Sequence, residues 1–143
     1  MGIFDSLRRR RPSSTPQQPA PLSGAPRVRR QKTHSAETGY VYLYFFEGQR
    51  QVNRDGAPAV EYVFDVSAGR KSSFPVSIFL RESVVSEWQQ AHHRELSGPE
   101  KYAIAKMALR YAFDTKESPE QVREPIDVTA FDVGMILSVL GRD

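Results

Sequence analysis

The sequence predicts an α+β fold: a three- to four-stranded antiparallel meander sheet covered by about three helices, preceded by a disordered basic arm. Three observations carry this. Between residues 40 and 80, dense runs of β-forming residues alternate with turn signals. From residue 83 onward, apolar residues recur at helical spacing behind capping residues. Before residue 38, charge and proline are concentrated and apolar residues are sparse.

The arm comes first. Residues 1–35 hold eight Lys and Arg against one acid, Asp5, a net of +7, whereas residues 36–143 hold twelve against sixteen, a net of −4. The chain's overall charge of +3 therefore belongs to the arm, and the remainder is mildly acidic. Five of the ten prolines also lie there. From 12 to 37 too little apolar surface is available to offset ordering entropy, so this stretch reads as a disordered, Pro-rich linker. Its cations Arg27, Arg29, Arg30 and Lys32 form a basic arm. Residues 1–11 differ. Ile3, Phe4 and Leu7 share one helical face, followed at once by Arg8, Arg9, Arg10 and Arg11. Eleven residues are too few for a stable helix in water, so the segment orders only on docking, and Pro12 ends it.

Residues 38–143 read as one domain. The run Tyr40–Phe46 begins the first strand, which continues through a bulge or bend near Gly48 toward Asn53. Asp55-Gly56 signals a tight turn, Val60–Val66 a second strand, Ala68–Lys71 another turn, and Phe74–Leu80 a third strand. Side-chain parity, with an assumed register, gathers Val41, Leu43 and Phe45 with Tyr62, Phe64, Val66, Val76, Ile78 and Leu80 on the core face. Tyr40, Tyr42, Tyr44 and Phe46 then form an aromatic opposite face with Val63 and Phe79.

Helices follow at Ser83–His93 and from a capping box at Ser97–Glu100 to about Phe113; Ser118 starts a short one that Pro125 limits. Ile126 and Val128 suit a brief edge strand, and a last helix runs from Asp127 or Thr129 to Leu140, ended by Gly141. The middle and last helices are apolar on two sides. In the last, Val133, Ile136, Leu137 and Leu140 oppose Phe131, Met135 and Val139. The second set is a candidate interface for a homo-oligomer or another protein.

Catalytic motifs are missing. No cysteine is present, which removes thiol chemistry, iron–sulfur clusters and cysteine zinc sites. His92 and His93 are adjacent, about 100° apart on a helix, and no metal-ligand spacing appears. Neither GxGxxG nor GxxxxGK[ST] occurs. No catalytic, cofactor-binding or metal-binding residue is assigned, and the chain is expected not to be an enzyme. The expected function is a non-catalytic interaction or accessory module, cytoplasmic or peripheral at a membrane, whose N-terminal segment docks on an anionic membrane surface or larger protein assembly. Four arginines beside anionic lipid contribute about 1 kcal/mol each. The alternative is a nucleic-acid-binding protein that uses the basic arm and stacks bases on the aromatic sheet face.

Overall fold

The computed structural model describes residues 20–141. Among these residues it is α+β, with five strands and four helices. The strands are β1 (Lys32–Ser35), β2 (Val41–Arg54), β3 (Ala57–Ala68), β4 (Phe74–Arg81) and β5 (Ile126–Asp127), and the helices are α1 (Glu82–His92), α2 (Gly98–Thr115), α3 (Pro119–Val122) and α4 (Ala130–Val139). The sheet order is β1-β2-β3-β4-β5. The first four strands pair antiparallel, but β5 runs parallel to β4, so the sheet is mixed and five-stranded, not a three- to four-stranded antiparallel meander. A parallel neighbour requires a crossover connection, and the chain between β4 and β5 supplies it with α1, α2 and α3.

Local chemistry accounts for most boundaries. Asp55 and Gly56 both take positive φ and close the β2–β3 hairpin between Arg54 and Ala57. Ser97 and Glu100 form a reciprocal capping box at α2, and Thr129 and Asp132 form another at α4. The register of β2 on β3 shifts between Phe46 and Gly48, as the glycine suggested. Gly48 has φ +139°, and a Cβ there would lie 2.9 Å from both the Leu22 Cβ and the Ser23 carbonyl oxygen. Only glycine permits that approach.

Two expectations are corrected. Lys32–Ser35, read as part of the linker, is β1 and pairs with Val41–Tyr44. The sheet faces of β2 are also exchanged. Tyr44 lies opposite Val66 and Phe46 opposite Phe64, so Tyr42, Tyr44 and Phe46 join Phe64, Val66, Val76 and Ile78 beneath the helices. Val41, Leu43 and Phe45 belong to the outer face instead, and Val41 is exposed. The reason lies in α2, whose aromatic residues complement the tyrosines. Phe113 stacks on Tyr42 with ring centroids 4.3 Å apart and planes at 7°, and Tyr102 meets Phe46 edge-on at 4.9 Å. Tyr40, at the strand's start, remains exposed.

Among the described residues no helix covers the outer face. Arginines and the segment before β1 lie on it instead. Arg29 stacks over Phe45, 3.7 Å from the ring centroid, and pairs with Glu47 at 2.7 Å. Arg54 lies over Phe79 and holds Asp127 with two hydrogen bonds of 3.0 and 2.9 Å. Glu61, buried at the centre, accepts hydrogen bonds from Arg50 Nε at 2.8 Å and from the Ser77 hydroxyl.

Candidate interaction groove

The helical layer carries the exposed apolar surface. In α4, Val133, Ile136 and Leu137 are buried, whereas Phe131 is 75% exposed, Val139 72% and Met135 37%. In α2, Ile104, Ala105, Ala108, Leu109, Ala112 and Phe113 are buried, and Tyr111 stays 57% exposed. The two helices enclose a groove of about 610 Å³, with Met107 and Tyr111 on one wall and Met135, Ile136 and Val139 on the other. The exposed residues of α4, Phe131, Met135, Ser138 and Val139, are uncharged, but Asp132 lines the groove beside Met135 and Val139. Asp132 is held at the helix start by the capping box.

One end of the groove is polar. His34 on β1 and Asp114 on α2 meet at 2.8 Å between Nε2 and Oδ1, and Arg110 Nε donates to His34 Nδ1 at 3.3 Å. The arrangement places the ring proton on Nε2, toward the carboxylate. Asp114 also accepts from the Glu37 amide at 3.0 Å. Burial on its own would raise the Asp114 pKa, but these hydrogen bonds and the nearby His34 and Arg110 outweigh it and hold the pKa below the ordinary aspartate value. Both imidazole nitrogens are engaged by protein groups, Nε2 by Asp114 and Nδ1 by Arg110. The contact acts as a clamp that fastens the edge strand to the end of α2.

The residues singled out in the sequence fall in different places. Met135 and Val139 line the groove, and Phe131 lies beside it on the same helix. Tyr42 and Tyr44 are interior, so they form no open surface on which bases stack. Arg27 and Arg30 are exposed, Arg29 is paired with Glu47, and Lys32 is on β1. Ile3, Phe4, Leu7, Arg8, Arg9, Arg10 and Arg11 lie outside the described residues. His92 stacks on Trp88 with centroids 4.2 Å apart. Among the described residues no three His, Asp or Glu side chains gather as a metal site, and no helix is long and apolar enough to cross a membrane. The sequence reading missed the His34–Arg110–Asp114 cluster, because His34 falls in a stretch without apolar alternation and its partner is 80 residues away. Comparison with protein-family models, curated proteins and solved structures finds no match.

Proposed function

We propose that the protein is a non-catalytic interaction module whose docking surface is the outward side of α4 and the adjoining groove, occupied by α4 of a second copy. The exposure of Phe131, Met135 and Val139 along α4 carries this reading. These three residues are apolar and can meet their own counterparts across a twofold axis, with Asp132 held in its capping box beside them. Gly134 supports it independently. Glycine inside a helix costs about 1 kcal/mol relative to alanine, yet a Cβ at Gly134 would meet nothing within 4 Å. The isolated fold does not require that glycine, whereas a second helix packed closely against α4 benefits from it.

In this reading, residues 1–11 supply a separate attachment. Ile3, Phe4 and Leu7 enter an anionic membrane surface or a groove of a larger assembly, and Arg8–Arg11 add charge attraction. Pairing two copies would then join two weak attachments into a stronger one.

Sedimentation of the full chain tests the α4 surface. The parent is expected to be a dimer at micromolar concentration, and Met135→Asp a folded monomer with a thermal midpoint close to the parent's, because the new carboxylate remains in water. A parent that stays monomeric to several hundred micromolar overturns the second-copy reading. A Met135→Asp protein that unfolds places Met135 in the core and overturns the surface reading too.

A further inference from the structure

The inner edge of the sheet carries a cluster of cations, of which Arg110 alone has a described role in the fold, through His34. Lys32 on β1 lies opposite Tyr44 on β2, and two residues away along the same pair of strands His34 lies opposite Tyr42. Along α2, Tyr102 packs on Phe46, and Arg110 reaches His34. Lys106 is one helical turn from each, which sets it over the Lys32–Tyr44 pair. Lys32, Lys106 and Arg110 thus converge beside Tyr44 and Tyr102. Among the described residues neither lysine meets a carboxylate within ion-pair distance. The nearby acid, Asp114, is already engaged by His34 and the Glu37 amide.

Such an arrangement has an electrostatic cost. Burial foremost, and then the charges of Lys32 and Arg110, push the Lys106 pKa below the ordinary lysine value. A half-buried lysine facing two cations destabilises the unliganded fold, and an anion seated among them would reverse the sign of every one of these interactions.

We propose that Lys32, Lys106 and Arg110 bind a phosphate-type oxyanion at the β1–α2 edge, with the hydroxyls of Tyr44 and Tyr102 as neutral donors beside it. Several donors carried on a strand and a helix suit a compact, multiply charged group better than a single carboxylate. The occupant is either a free phosphate or the phosphoryl end of a small metabolite, which share this chemistry.

The full chain is titrated with inorganic pyrophosphate and with adenosine diphosphate, against sodium chloride at matched ionic strength, by calorimetry and thermal melting. Pyrophosphate is expected to raise the melting temperature beyond the chloride control. Equal binding of the diphosphate assigns the site to the phosphoryl group alone, and tighter binding shows that it also reads the attached group. Lys106→Met is expected to melt higher than the parent without ligand, and to lose the pyrophosphate-dependent rise. That opposition of stability and binding is not produced by a lysine with a merely structural role. Lys32→Gln, on an exposed edge strand, is expected to leave the unliganded melting temperature unchanged and weaken pyrophosphate about tenfold, the loss of one charge-assisted contact. Should Lys106→Met fail to fold, Lys32→Gln decides. No pyrophosphate effect on the parent beyond chloride, or full retention of it in Lys32→Gln, overturns the proposal. So does binding of a single-stranded oligonucleotide in the absence of any pyrophosphate binding, which would assign the cations to a nucleic-acid backbone.

Discussion

Phe113→Ala is expected to destabilise the protein by about 3–5 kcal/mol, the range for removing a buried aromatic ring. Phe113 is fully buried, stacks face to face on Tyr42, and also approaches Tyr44 and His34 at 5.5 and 5.7 Å. It therefore joins α2 to β1 and β2 at once. The Tyr42 hydroxyl adds to the loss, since it is buried without a hydrogen-bond partner and depends on close packing to be tolerated. A urea titration reads the effect as a lower midpoint at nearly constant slope. Tyr111→Ala, two residues earlier but exposed, is the internal comparison and is expected to change stability by about 0.5 kcal/mol or less. Equal effects at the two positions would mean that α2 does not bury the face described.

Glu61→Gln is expected to cost about 2–3 kcal/mol at neutral pH, somewhat below the loss for breaking a fully buried ion pair, because Arg50 retains some contact with water. The cost should depend on pH in a defined direction. Burial alone would raise the Glu61 pKa, but hydrogen bonds from Arg50 and Ser77, with the charges of Arg50 and Arg54, outweigh it and lower the pKa. A carboxyl whose pKa is lowered by folding contributes its full stabilisation above its unfolded value, about 4.3. That contribution is lost as pH falls through the folded value. The gap between parent and Glu61→Gln should accordingly be widest near pH 7 and close only as pH falls through the lowered folded value, below which both side chains are neutral. Asp114 and Asp127, also lowered, destabilise the parent over the same acid range. At the opposite end, burial pushes the Tyr62 pKa up to about 12. Stability from keeping that phenol neutral is intact below pH 10 and declines between 10 and 12. A gap that widens on acidification would contradict the ion-pair account of Glu61.

The elements visible in the sequence are those determined by near neighbours. Asp55-Gly56 and the box of Ser97 and Glu100 each act within four residues and mark their boundaries, and of the two candidate caps Asp127 and Thr129 it is Thr129 that caps α4. Gly48 likewise announced the bulge. Parity in β2 was not legible, because Tyr42, Tyr44 and Phe46 are as apolar as Val41, Leu43 and Phe45. Two equal stripes leave period-two reasoning without a preference, and α2 decides between them from more than 50 residues away. β1 was hidden for the opposite reason. Lys32, Thr33, His34 and Ser35 show no apolar alternation, so the strand rests on backbone pairing and on the clamp to Asp114. The candidate groove was half visible. The exposed stripe of α4 can be read from its heptad-like spacing, whereas its partner wall, Met107 and Tyr111, becomes recognisable only once α2 has spent its other side on the sheet.

The arm has a consequence for solubility. β1 pairs only with Val41–Tyr44, so the same edge of β2 beyond residue 44 has no neighbouring strand along most of its length. A long bare edge is a template on which strands of other molecules can add. Here the chain ahead of β1 occupies it. The Ser23 and Gln49 backbones exchange two hydrogen bonds of 2.9 and 2.8 Å, and Arg29 fastens to Glu47. A proteolytic nick that released residues 20–31 would leave the helices and the buried aromatic layer untouched while uncovering that template. Residues 20–31 thus cover an otherwise open edge, and their loss is expected to show as aggregation of an otherwise folded molecule.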